Sequence, residues 1–173
     1  MNAVTTTLPA LGSALPTFAS VAESELDSVY RYLVFLTGDH ATAEDLTGET
    51  FEKAFRAWRR FDPRRGSARA WLCGIARGAA LDHFRSEGRR RRREERYARE
   101  QPATDEPALG DTAVAQALRQ LSPAEREVVA LRVLLDLDGP TTARVLGISR
   151  TACSTRLSRA LKRLEEMMSD ASV

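Results

Sequence analysis

The residues best placed to do chemistry in this chain lie near its C-terminus, and the chemistry is recognition. From Arg150 the segment RTACSTRLSRALKRLEE sets Arg150, Thr151, Ser154 and Thr155 on one helical face, followed by Ser158, Arg159 and Lys162. Short hydroxyls and an arginine in the first turns of a helix suit hydrogen bonding to base edges in a major groove, and cations further along suit phosphate neutralisation. Cys153, Leu157, Ala160, Leu161, Leu164 and Met168 fall at helical spacing on the other face. Periodicity alone fits any amphipathic helix with a solvated charged face, so the reading depends on what precedes it.

What precedes it is an element able to position a recognition helix. Ser122, Pro123 and Glu125 supply an N-cap, a proline at the first helical position and a capping-box acid. Val128, Val129, Leu131 and Leu135 give that helix its apolar stripe, which Asp138 and Gly139 break. Pro140 opens a short helix to about Leu146, Gly147 permits a left-handed turn, Ile148 fills the core and Ser149 caps the last helix. A short helix, a glycine turn and a polar-faced helix make a helix-turn-helix, and with it DNA binding outweighs the solvated face.

Hydrolytic and redox chemistry lack comparable support. His40 and His83, the only histidines, each stand beside an aspartate without metal-ligand or triad spacing, and no glycine-rich phosphate loop occurs. The chain therefore reads as a non-enzyme with no catalytic residue, no metal and no cofactor. Cys73 and Cys153 fall on apolar faces, as reduced core thiols of a cytoplasmic protein do. No run approaches transmembrane length, so no membrane insertion is expected. Residues 1–20, uncharged and punctuated by Pro9, Gly12 and Pro16, read as a flexible extension rather than a signal peptide.

The N-terminal half is also helical. Glu23 to Thr37 carries Leu26, Val29, Tyr30, Leu33 and Leu36 on one side and stops at Gly38. A second helix, capped by Asp39 or Thr42, aligns Ala43, Leu46, Thr50, Ala54 and Trp58, with Phe51 and Phe55 beside them. A third starts near Ser67 or Ala68 with Trp71, Leu72, Ile75, Ala76 and Ala79 inward. Strand patterns are missing. The fold class is all-α: two small helical domains, residues 21–96 and 112–169, joined by a flexible linker over 97–111.

Net charge is only +2 over 173 residues, but it is unevenly spread. Residues 1–55 hold two basic and eight acidic side chains, whereas residues 56–99 hold fifteen basic and five acidic. Basic blocks suit nucleic acid and the acidic first block suits a protein partner. The run RRRRREERYARE from Arg89 can prolong the third helix along a DNA backbone or stay disordered.

AEDLTGETFEKAFRAW, a basic loop, WLCGIARGAALDHFR, and then LSPAEREVVALR with the helix-turn-helix resemble the extracytoplasmic-function sigma factors, the compact class of bacterial RNA polymerase sigma subunits. The resemblance covers roughly residues 23–168. It implies a first domain that binds the polymerase clamp and opens the minus-ten element, and a second that reads the minus-35 element. Position by position, it implies clamp contacts from Asp45, Leu46, Glu49 and Thr50. It implies capture of non-template single strand by Arg64, Arg65, Arg69, Trp71, Arg77 and Gly78, and reading of double-stranded promoter DNA by Arg150, Thr151, Ser154, Thr155, Arg159 and Lys162. The implied partners are core RNA polymerase, at its clamp and flap regions, promoter DNA and an anti-sigma factor.

The chain departs from the family pattern at Gly48, where glutamine is common, and at Gly78, where asparagine is common. For Phe61 and Trp71, packing in the core competes with stacking on a base. The alternative function is a helix-turn-helix regulator that never joins polymerase, but such a protein has no reason to carry AEDLTGETF and WLCGIAR.

Overall fold

Thr17 starts the first helix by accepting a hydrogen bond on Oγ1 from the Ser20 N–H. In the computed structural model, which describes residues 16–94 and 113–170, α1 (Phe18–Thr37) ends at Gly38, whose φ of 72° aims its N–H at the Val34 carbonyl. The helix begins inside the segment expected to be a flexible extension. Phe18 accounts for the difference, because its ring meets those of Phe51, Phe55 and Trp58 at centroid distances of 6.4, 5.3 and 5.4 Å.

Asp39, of the two candidates, caps α2 (His40–Ala57), with Oδ2 accepting from the Thr42 N–H at 2.6 Å. After a 3₁₀ turn at Trp58–Arg60 and a loop, α3 (Ala68–Glu94) carries the arginine run on as helix through Glu94. The remainder of that run and the expected 97–111 linker lie outside the described residues. Leu72, Cys73, Ala76, Ala79 and Ala80 of α3 are buried in one cluster with Val29 and Leu33 of α1 and Ala43, Leu46 and Ala54 of α2. A fully buried side chain such as Leu72 contributes about 1.5–3 kcal/mol relative to exposure. Leu26, expected to face inward, is 52% exposed.

The second half opens with α4 (Ala113–Gln120), which the sequence reading did not separate. Ser122 and Glu125 form the expected reciprocal capping box at the start of α5 (Pro123–Val129). That helix then widens into a π-helical turn, Ala130–Leu134, closed by the Leu135 N–H on the Ala130 carbonyl. Next come α6 (Gly139–Leu146) and α7 (Arg150–Asp170). On α7 the inner face is Cys153, Leu157, Ala160, Leu164 and Met167, while Leu161 is 44% exposed, so the stripe sits one step away from the position expected for Leu161 and Met168.

The two halves share one core. α3 packs on α6, and α1 packs on α5 and the π turn, so buried residues from Val21 to Ala160 form a continuous cluster. No helix among the described residues is long and apolar enough to cross a membrane.

Candidate nucleic-acid interface

The recognition element is built from backbone geometry upward. Asp138 caps α6, its Oδ1 accepting from the Thr141 N–H at 2.7 Å, and that hydrogen bond holds its carboxyl below the usual carboxylate range. At the far end Gly147 takes φ 67°, and its N–H reaches the Arg144 carbonyl at 3.2 Å. Ser149 then caps α7 through the Ala152 N–H. Arg150, Thr151, Ser154, Thr155, Arg159 and Lys162 are all exposed along α7. Lys162 makes only a loose contact with Glu166 at 3.8 Å. Arg150 and the hydroxyls stand in the leading turns, with Arg159 and Lys162 behind them, the spatial order that base reading and phosphate contact need.

The residues expected to hold single-stranded DNA divide into two groups. Arg64 and Arg65 are exposed on the loop before α3, held there by Asp62, whose Oδ1 accepts from the Arg64 N–H and whose carbonyl accepts from the Arg65 N–H. Gly78 is exposed, with open space where a Cβ would stand. Arg69 and Arg77, by contrast, are committed to carboxylates. Arg69 Nε donates to Glu25 Oε2 at 2.7 Å, and Arg77 Nε donates to Glu127 Oε1 at 3.0 Å. Trp71 lies in an aromatic cluster, 5.8 Å from Trp58 and 5.3 Å from Phe61. Phe61 in turn stacks on Trp58 at 4.9 Å. In this arrangement both rings serve packing.

The acidic row on α2 divides in the same way. Asp45 is exposed, and Glu49 is partly exposed and paired with Lys53 at 2.5 Å. Leu46 and Thr50 point inward: Leu46 is 5% exposed, and Thr50 is fully buried with Oγ1 donating to the Leu46 carbonyl at 2.6 Å. The stripe of Ala43, Leu46, Thr50 and Ala54 read from spacing is the inner face, and two of the four contacts that the resemblance implied fall on it. Leu46 and Thr50 shape the surface from beneath, and Asp45 and Glu49 form it.

Residues 21–90 match the family model for Sigma-70 region 2, and residues 111–164 that for Sigma-70, region 4. The probable RNA polymerase sigma-C factor of Mycobacterium bovis is 34% identical over 158 residues, covering 86% of this chain and 80% of that protein. The chain belongs to the extracytoplasmic-function sigma factors. The ECF sigma factor BldN of Streptomyces coelicolor is 36% identical over 160 residues, and the match spans 88% of this chain but 61% of BldN. Among solved structures, the sigma factor RpoE from Bartonella quintana, in complex with the anti-sigma factor NepR, has a TM-score of 0.75 at 25% identity. That match covers 88% of this sigma factor and 96% of RpoE. Sequence reasoning missed Glu25, Glu127 and Arg144 of this sigma factor. Their partners lie 44, 50 and 79 residues away, a separation that no periodicity reports.

Proposed function

We propose that this chain joins core RNA polymerase in the cytoplasm and directs it to a set of promoters, acting without catalysis of its own. The exposed order along α7, Arg150 and the hydroxyls in front and Arg159 and Lys162 behind, carries the reading. Arg150, Thr151, Ser154 and Thr155 face the base edges of a minus-35 element, and Arg159 and Lys162 face phosphates. Asp45 and Glu49 on α2 meet the clamp through complementary charge. Arg64 and Arg65 follow the displaced non-template strand at the minus-ten element, with Arg69 and Arg77 joining once their carboxylate partners release them. The family resemblance supports each placement, and the exposure of Asp45, Arg64, Arg65 and the α7 side chains supports theirs. An anti-sigma factor fits as a further partner, as for the related RpoE.

Reconstitution tests the reading. The purified chain mixed with core polymerase from a related bacterium should co-elute in gel filtration. The resulting holoenzyme should start transcripts at a common pair of upstream elements when its products are mapped. A chain that binds promoter DNA alone and ignores core polymerase would instead be a free-standing helix-turn-helix regulator.

A further inference from the structure

A cavity of about 430 Å³ lies between the loop that precedes α3 and the side of α6, a volume within the range of small-molecule sites, roughly 300–1,000 Å³. Two kinds of group line it. Arg60 comes from the 3₁₀ turn, Arg65 from the loop and Arg144 from α6. Beside them the partly buried rings of Phe61 and Trp71, 5.3 Å apart, form an aromatic wall with Ile75. Arg69 and Arg77 are held by carboxylates, but these three arginines are not. Arg144 donates to the Thr141 hydroxyl and the Arg65 carbonyl, and no side chain of the three forms an ion pair among the described residues. Asp62 is the single acid in the lining, and its Oδ1 accepts from the Arg64 N–H.

We propose that this cavity binds a free nucleoside di- or triphosphate, with its base against the Phe61 and Trp71 rings and its phosphates on Arg60, Arg65 and Arg144. The site goes beyond the promoter reading and does not depend on it, because one wall belongs to α6, which has no part there in holding single strand. The conjunction of groups carries the argument. Guanidinium forks take phosphate oxygens in pairs, and a base stacks on an aromatic side chain. Trp58 already stacks on Phe61 at 4.9 Å, so a base extends an existing stack. A plain anion leaves the rings uncovered, whereas an apolar ligand takes water from three cations and offers them no partner. Asp62 adds an acceptor for a ribose hydroxyl or an exocyclic amine. A DNA strand carries the same chemistry, but it must both enter and leave. On the α6 side the Arg144 guanidinium donates to the Arg65 carbonyl and stands 3.7 Å from the place a Gly66 Cβ would take, which closes that exit. A free nucleotide needs only one opening.

Titration of the full chain with ATP, GTP and inorganic pyrophosphate tests the site, read by calorimetry and by the fluorescence of Trp58 and Trp71, the chain's two tryptophans. ATP or GTP should bind saturably and quench the emission. Pyrophosphate should bind about tenfold more weakly and leave the emission unchanged, since it lacks the stacked base. Arg60→Ala and Arg144→Ala should each weaken ATP binding about tenfold, the cost of one charged hydrogen-bonding partner. Arg91→Ala, which removes a like charge from the far end of α3, should not. Circular dichroism unchanged from wild type shows that each variant is folded. A short single-stranded oligodeoxynucleotide should bind wild type and Arg144→Ala alike. The proposal is overturned if neither nucleotide binds saturably, if pyrophosphate binds as tightly as ATP, or if Arg91→Ala weakens ATP binding as much as Arg144→Ala does. An oligodeoxynucleotide that loses affinity on Arg144→Ala as steeply as ATP assigns the cavity to DNA and overturns it too. Co-elution of the same preparation with core polymerase reports separately on the promoter reading.

Discussion

Glu125 and Arg163, thirty-eight residues apart, tie α5 to α7, the last helix of the C-terminal half: Arg163 Nη1 donates to Glu125 Oε2 at 2.8 Å. The same oxygen accepts from the Ser122 hydroxyl at 2.7 Å and the Ser122 N–H at 3.0 Å. One carboxylate thus starts α5 and holds the recognition helix α7 against it.

This convergence makes the half acid-sensitive. Hydrogen bonding from Ser122, and then the nearby Arg163 and Arg156 charges, hold the Glu125 carboxyl below its usual value. A depressed folded-state pKa stabilises the fold above the unfolded value of about 4.3, and that contribution is lost as pH falls through the folded value. Glu125→Ala should cost about 1–3 kcal/mol near neutral pH and flatten the acid limb of the stability curve. Urea melts from pH 7 down to pH 3 measure both effects.

Polymerase binding should separate from folding on α2. Asp45→Arg, at an exposed position, should leave the melting temperature within the scatter of surface substitutions, about 0.5 kcal/mol, while weakening association with core polymerase. Leu46→Ala empties a buried site and should cost about 2–5 kcal/mol, lowering every activity together. Paired thermal melts and gel filtration with core polymerase read the difference, and equal stability loss in both variants would count against the assignment.

On α7, base reading and phosphate contact should differ in kind. Ser154→Ala should lose roughly 1–3 kcal/mol at one base pair of the minus-35 element and relax preference there, whereas Lys162→Ala should weaken all promoters alike. A randomised promoter library transcribed by each holoenzyme shows whether the two profiles diverge.

The loop before α3 should serve promoter opening. Arg64→Ala combined with Arg65→Ala should reduce permanganate reactivity of unpaired thymines while leaving core binding intact. Arg69→Ala should behave differently and lower stability, because it leaves the Glu25 carboxylate, only 15% exposed, without its partner.

Neither cysteine should react with iodoacetamide in the folded chain at neutral pH. Both are buried, and burial pushes the Cys73 thiol up to about 12, so thiolate is scarce. Mass spectrometry across a urea series should show alkylation appearing with unfolding.

The amino-acid sequence by itself determined the local events. The capping box at Ser122 and Glu125, the turn at Gly147 and the stop at Gly38 depend on neighbours within a few residues, so their chemistry is written in order along the chain. The polar face of α7 was legible for the same reason: a helix maps spacing directly onto faces. Tertiary structure decided what spacing leaves open. Leu46 and Thr50 lie on the α2 stripe that spacing shows, yet the resemblance also implied them as polymerase contacts, and packing against α1 and α3 buries both. Phe18 became helical because its ring partners lie more than thirty residues on. Arg69 and Arg77 looked like free cations because charge carries no address. Which carboxylate meets each guanidinium depends on how α1, α3 and α5 come to lie together, a relation set by the shared core.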